Sequence, residues 1–562
     1  MGTTQDSRRL CCPGLPNEPL WVNLLERATT ISRPILRDTT LGIHVSLTQL
    51  LADVVHMRQV LWDSLPSALF DDQANGIINE SSPYIGLSTA PNYEFYVASL
   101  AILAVGGAIV PLRPELPVAE ELQVLKDCKA VAILTGPQQM SQCGEIKTLA
   151  ERQGYRLQII PLAILTTGAL DSNPDFTIDA RQTIPPTRPS LVIRTTGTTG
   201  GPKSVVHTRR LFHRAFPSKP DDLILIHENL DWISGSVSIM MRVLGGAAGE
   251  VLPTNPGPAA IWERLRRGGV TSLTDHSWFW EGLARHFRLH IAVLPDKEER
   301  EEYVRAARSL RWAFVVGTPP PPSLLAFWEG TFGAKLQVGY VATELGAVAL
   351  STSPTEPYVE GSLGRPLPGI TAKLSQGDHG ELLVKTPYMF SHYIGNEAAT
   401  KAAFDPEGYF KTGDAAHLDG DKYVFDGRIG SDILDVGARQ ISLLRLDHKL
   451  TELPYISEVY TLCVPPGGPG TEGGNQLGAL VRFKDPSVSK SRSDAADLYA
   501  DDFRAQLLEA LRPAEIAVAI RVLRDGEEIP RTFNMKPFRR LAVKQFFPSQ
   551  FLPLQDNAAA AC

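Results

Sequence analysis

The stretch RTTGTTGGPKS, residues 194–204, sets four threonines beside three glycines and carries Lys203 near its end. Glycines let a backbone close on an anion, hydroxyls donate hydrogen bonds and a lysine adds charge, so the chemistry on offer is phosphate binding. From Gly197 to Ser204 the stretch fits the nucleotide-binding pattern G-x-x-x-x-G-K-[ST] except at Pro202, where that pattern has glycine. In that pattern successive backbone N–H groups cradle the phosphates and the loop feeds directly into a helix. Proline lacks the N–H and fixes φ, so this loop must work differently. The side-chain donors Thr195, Thr196, Thr198 and Thr199 can wrap a polyphosphate, Gly197 and Gly200 let the loop close, and Lys203 supplies charge. On these residues alone, a surface turn after the strand at 191–194 is the other reading.

The rest of the chain must position such a loop. Its 562 residues give room for three or four domains, and 43% apolar with 21% charged residues is a globular composition. A formal charge of −7 leaves no basic field for nucleic acid or an anionic membrane, so small-molecule chemistry is expected. Six scattered cysteines show no zinc or disulfide spacing, and the N-terminus has no apolar run behind its arginines, so a reducing, cytoplasmic setting is expected. The uncharged stretch Tyr96 to Leu112 is shorter than the roughly 20 residues a membrane span requires and reads as a buried helix followed by a buried strand.

Between residues 84 and 270, runs such as YIGLS, AVAILTG, SLVIRTTG and LILIHENL lack a polar alternate face, which implies parallel sheets covered on both sides by helices. After about residue 375, HGELLVKTP, KYVFDGRI and ARQISLL read as short strands joined by tight turns, a mainly antiparallel piece. The last hundred or so residues restart a helix and strand pattern of their own, with PPGGPGTEGG (465–474) as a loop inside it. The class is therefore α/β: a large N-terminal domain with parallel sheets flanked by helices and a β-rich subdomain, then a small α+β C-terminal domain. No internal repeats are found.

Thr195 to Lys203 resembles the signature loop of the adenylate-forming superfamily of acyl-CoA synthetases, peptide-synthetase adenylation domains and luciferases, whose pattern is T-[ST]-G-[ST]-T-G-x-P-K. Further segments agree in order. GYVATELG resembles that family's Y-G-x-T-E at Tyr340, Thr343 and Glu344, with Val341 for the glycine. GYFKTGD, residues 408–414, matches its aspartate motif at Asp414, and DGRIGSDILDVG resembles G-R-x-x-D-x-I-K-x-x-G at Gly427, Arg428, Ile433 and Gly437. IPRTFNMKPFRR resembles P-x-T-x-x-G-K-x-x-R at Pro530, Thr532, Lys536 and Arg539. Ser431, Leu434 and Met535 depart from the patterns, and Gly430 occupies the usual hinge position. The resemblance covers roughly residues 84–545.

What the resemblance implies is Mg·ATP-dependent activation of a carboxylic acid to an acyl-adenylate, followed by transfer, most often to coenzyme A. It implies Glu344 as the Mg²⁺ ligand, Tyr340 against adenine, Thr343 beside the nucleotide, Asp414 on the ribose, Arg428 on ribose or phosphate, and Lys536, Thr195 and Lys203 as catalytic. Residues 1–428 then form the large domain and 429–562 a mobile lid carrying Lys536, with rotation about Gly430. Standing alone, Glu344 and Lys536 are ordinary solvated side chains. Trp232 and Ser236 in HENLDWISGSVS, with Gly317 and Gly339, are candidates for the acyl pocket, although Trp232 suits ordinary core equally well. His276 could contact a second polar group of the acid, and Trp278, Phe279 and Trp280 read as a packing cluster. Transfer to an amine, a carrier-protein thiol or water, or a degenerate relative that binds without turnover, are the alternatives; acid and oligomeric state are not encoded.

Overall fold

The computed structural model describes residues 14–71, 76–81, 83–165, 176–195, 202–213, 218–229, 231–436, 439–464, 476–485, 494–511, 518–531 and 538–547. Among them, no helix is long and apolar enough to cross a membrane. The uncharged stretch folds as read: Tyr93–Ala104 is a helix buried all round, and Ala108–Pro111 is a buried strand. Asn92 caps that helix by accepting a bond from the Glu94 N–H.

Two large sheets organise the chain. In the seven-stranded sheet, Gln158–Pro161, Ala132–Thr135, Tyr84–Ser88, Ala108–Pro111 and Pro189–Arg194 run parallel. Ser204–Thr208 and His392–Tyr393 then extend it antiparallel. The threonine-rich loop joins Pro189–Arg194 to Ser204–Thr208 with Arg194 opposite Ser204, so it runs from strand to antiparallel strand and no helix follows it. Pro202 is thereby accommodated at the hairpin's return, where an N-terminal helix dipole plays no part.

In the thirteen-stranded sheet, Leu36–Asp38, Ala248–Val251, Leu223–Ile226, Ser272–His276, Trp312–Val316 and Gln337–Val341 lie parallel in that spatial order. Val348–Ser351 turns back antiparallel beside Gln337–Val341, and Ser362–Pro366, Lys422–Arg428 and Phe410–Asp419 continue the ladder. The β-rich piece is antiparallel as expected, but it is not a separate sheet. It is hydrogen-bonded to the parallel half through Val348–Ser351 and Ser362–Pro366, because a turn of six residues after Val341 lets the chain fold back on the sheet edge. Beyond residue 428, a three-stranded sheet of Ile456–Val464, Gln476–Phe483 and Val518–Val522 packs with helix Leu443–Thr451 around its own apolar cluster. Phe279 and Trp280 pack with Trp262 and Trp328, which is the cluster expected of them, while Trp278 stays 46% exposed.

The joint between the two halves rests on Gly364. Its φ is +74° and a Cβ there would collide with the Ser351 carbonyl of the neighbouring strand. Gly364→Ala should therefore lower the melting temperature sharply, by about 3 kcal/mol or more of stability, and weaken ATP binding with it. Thermal unfolding and nucleotide titration that match the parent protein would show that the joint tolerates a side chain.

Candidate active site

Where the two sheets meet, the predicted nucleotide residues come together. The strand Gln337–Val341 delivers Tyr340 and then the short helical turn Thr343–Leu345. From the antiparallel half, Phe410–Asp419 delivers Asp414 opposite Arg428 in register. The Tyr340 hydroxyl donates to Asp414 Oδ2 at 2.7 Å, and Arg428 Nε lies 3.7 Å from Asp414 Oδ1. Burial and the Asp414 carboxylate push the Tyr340 phenol well above its ordinary pKa, so it stays a donor. Burial works against the Arg428 charge, yet Asp414, Tyr340 and Glu344 together hold its pKa above the ordinary value.

Glu344 links this group to the threonine loop. Its Oε1 accepts from the Tyr393 hydroxyl at 2.9 Å, and Lys203 Nζ lies 4.7 Å from the centre of the Tyr393 ring. His207 Nε2 is 2.9 Å from the Thr343 carbonyl, which ties the strand after the loop to the turn that presents Glu344. At the neck of the loop, Thr195 N–H donates to the Lys203 carbonyl at 2.9 Å and Lys203 N–H to Thr195 Oγ1 at 3.3 Å. Thr196, Gly197, Thr198, Thr199 and Gly200 lie outside the described residues. Lys203, Glu344, Asp414 and Arg428 are thus linked to one another through Tyr393, Tyr340 and the electrostatic reach between Glu344 and Arg428. Among the described residues, no group of three His, Cys, Asp or Glu side chains could hold a metal. A single carboxylate such as Glu344 suits Mg²⁺, which takes one or two protein carboxylates and completes its shell with phosphate oxygens and water.

Lys536 also lies outside the described residues, but both ends of its segment are fixed. Phe538 N–H donates to the Pro530 carbonyl at 2.8 Å, and buried Arg539 reaches Asp447 at 2.6 Å and Asp432 at 3.6 Å. Asp432 follows Gly430, whose φ is +78° with open space around it, and Ser431 donates to Asp432 Oδ1 at 3.1 Å. Leu434, where the resembled pattern has lysine, is fully buried in the small apolar cluster.

The candidate acyl-pocket residues lie along the same sheet edge. Leu223–Ile226, Ser272–His276, Trp312–Val316 and Gln337–Val341 end in sequence at His227, His276, Gly317 and the Thr343 turn, the carboxyl ends at which open α/β sheets bind ligands. The Trp232 and His276 rings meet edge to face at 5.4 Å. Gly317 has φ +89°, and a Cβ there would stand 2.6 Å from the His276 ring. Ser236 is buried in the helical segment Ser234–Ile239, its N–H donating to the Trp232 carbonyl at 2.8 Å. Gly339 lies inside the sheet, facing Val348, Phe314 and Val316.

Tyr393, His207 and Glu228 are the residues that sequence reasoning missed. Tyr393 lies on the edge strand and His207 on the strand it pairs with, nearly 190 residues apart in sequence, and no local pattern signals that pairing. Glu228 sits inside the stretch read as pocket lining, as the residue after His227 at the end of an apolar strand run, and that position was the available signal.

A family model described as "AMP-binding enzyme" matches residues 73–394. The chain belongs to this family, the adenylate-forming enzymes of acyl-CoA synthetase type. It is 31% identical over 540 residues to the acyl-CoA ligase oryP of Aspergillus oryzae, covering 95% of this chain and 93% of that one. It is 29% identical to the malonate–CoA ligase of Arabidopsis thaliana over 73% of this chain and 69% of that one. Its fold is similar to that of the amide bond synthetase McbA of Marinactinospora thermotolerans, with a TM-score of 0.72 at 20% identity over 94% of this chain and 99% of that one.

His207 makes the site sensitive to acid. Burial depresses its pKa to about 4, so between its ordinary value of 6.5 and 4 the unfolded chain binds the extra proton. The stability it contributes is complete above pH 6.5 and is lost as pH falls toward 4, an effect of up to about 3 kcal/mol. His207→Gln should flatten the melting temperature against pH across that window. Identical slopes for parent and variant would remove His207 from the account.

Proposed function

We propose that this chain activates a carboxylic acid with Mg·ATP to an acyl-adenylate and passes the acyl group to coenzyme A, as an AMP-forming acid–CoA ligase. The observation that carries the reading is the chain of contacts that links Lys203, Glu344, Asp414 and Arg428 where two sheets meet. Asp414 suits the ribose hydroxyls as an acceptor, with Tyr340 placing adenine and holding the Asp414 carboxylate. Lys203, Arg428 and the hydroxyls of Thr195, Thr196, Thr198 and Thr199 are assigned to the phosphates. Glu344 and phosphate oxygens would hold Mg²⁺, which supplies charge neutralisation at the phosphates when bound.

The substrate carboxylate oxygen forms a bond to the α-phosphorus as the bridging bond to pyrophosphate breaks. Charge grows on the equatorial oxygens during that displacement, and fixed cations aimed at it lower the barrier. Lys536 is assigned to this place on a small domain of residues 429–562. Arg539, three residues on, ties its segment to Asp432 beside the hinge, so movement at Gly430 carries Lys536 with it. After rotation the thiol of coenzyme A attacks the acyl carbon and AMP leaves with the bonding electron pair. Acyl transfer to an amine is the second reading, supported by the fold likeness to an amide bond synthetase. AMP formed from ATP and an acid without a thioester product would favour it.

Lys536→Ala should slow acid-dependent pyrophosphate release by roughly 10²- to 10³-fold, the scale of losing one preorganised donor, while ATP binding persists. Thioester formation from a preformed acyl-adenylate should change little. Unchanged pyrophosphate release would take this lysine out of the chemistry.

A further inference from the structure

We propose that the pocket at the carboxyl ends of Leu223–Ile226 and Ser272–His276 selects an acid whose far end bears an uncharged hydrogen-bonding group, such as a hydroxyl, and rejects a second carboxylate. The inference rests on the adenylation reading and assigns its substrate class. His227 follows directly from the first strand, Asp275 and His276 close the second, and Trp232 packs its edge against His276. This row continues through Gly317 toward the Thr343 turn, so an acid lying along it presents its carboxyl to the nucleotide and its other end to His227 and Glu228.

Carboxyl groups dominate this end of the sheet, with one guanidinium among them. Glu228 and Asp275 are buried with Asp231 partly buried beside them, and the guanidinium that reaches them, Arg113, is taken by Asp231. A second substrate carboxylate would enter beside three carboxyl groups with no uncommitted cation among the described residues of the cluster, and like charges in a buried site repel strongly. This arrangement does not suit malonate, the acid in the name of the Arabidopsis thaliana relative.

A neutral polar group is accommodated instead. Ser234 Oγ donates to Glu228 Oε2 at 2.9 Å, while the other carboxyl oxygen, Oε1, is buried with no hydrogen-bond partner. Burial and neighbouring Asp275 push Glu228 up to about 8, so at neutral pH it carries a proton and Oε1 can donate. His227 is held neutral by burial, with Nδ1 turned to Asp275 at 3.7 Å and Nε2 buried without a partner. Buried unpaired polar atoms are costly, and a hydroxyl, which both donates and accepts, answers the two of them. Phe279 stacks on His227 at 4.8 Å and fixes the imidazole plane.

The test is acid-dependent pyrophosphate release by the full-length enzyme with matched triplets: propionate, 3-hydroxypropionate and malonate; benzoate, 3-hydroxybenzoate and isophthalate. In whichever size class turns over, the hydroxy acid should exceed the dicarboxylate in kcat/KM by roughly 100-fold or more. A dicarboxylate that equals or exceeds its hydroxy partner overturns the pocket assignment while the adenylation reading stands, as does preference for the plain acid. Release with none of the acids overturns the adenylation reading together with the pocket built on it. Glu228→Leu should raise KM for the hydroxy acid about 10-fold or more with little change in kcat or in KM for ATP, the signature of lost ground-state binding. An unmoved KM would sever Glu228 from substrate selection.

Discussion

The hydrogen bond from Tyr340 to Asp414 joins the last strand of the parallel half of a sheet to a strand of its antiparallel half. Neither residue can reach the other unless Val348–Ser351 and Ser362–Pro366 fold the chain back edge to edge, and that register depends on close strand approach at Gly364. Once the bond is made, Arg428 faces Asp414 across the neighbouring ladder and Glu344 comes within electrostatic reach of Arg428. The nucleotide space is therefore a product of sheet topology, assembled from residues 74 positions apart in sequence.

A second seam completes it. The edge of the seven-stranded sheet docks through His207 on the Thr343 carbonyl and through Tyr393 on Glu344, and the same Tyr393 ring lies under Lys203. Tyr393 thus fixes the carboxylate through its hydroxyl and the cation through its ring. Burial and the Glu344 carboxylate push its phenol far above neutrality, so the donor is not lost at working pH. An arrangement of this kind keeps Lys203 and Glu344 from collapsing into a direct ion pair that a phosphate and its metal would have to break.

Much of the fold could be read from the sequence because the strands of its parallel sheets are mostly apolar runs and several of its helices stop at glycine or just before proline. The antiparallel strands were also readable, but their fusion into the parallel sheet was not. Fusion depends on hydrogen-bonding edges that the side-chain pattern does not encode. Pro202 gave a firm exclusion, and the strand-to-strand course of its loop supplies the reason: no helix N-terminus follows, so the missing N–H is no loss. Tyr393 and His207 left no trace, since a tyrosine and a histidine in neighbouring strands look like any others until their partner is known. Leu434 reads as a lost charge in sequence and is a core residue in the fold, fully buried among Leu443, Leu446 and Leu477.

The same sheet edge carries two opposite electrostatic environments. Toward Tyr340 it gathers cations for a polyphosphate, and toward His227 it gathers buried carboxyls that stay partly protonated. An acid laid along that edge has only one end at which negative charge is welcome. Orientation then follows from charge before any shape is considered: the carboxylate seeks Lys203 and Arg428, and the neutral end is left for Glu228 and His227. A substrate carrying charge at both ends loses this bias and must desolvate its second charge beside Asp275, whereas a hydroxyl loses only water that Glu228 and His227 can replace. Selectivity in this pocket is thus set mainly by which groups the buried acids exclude.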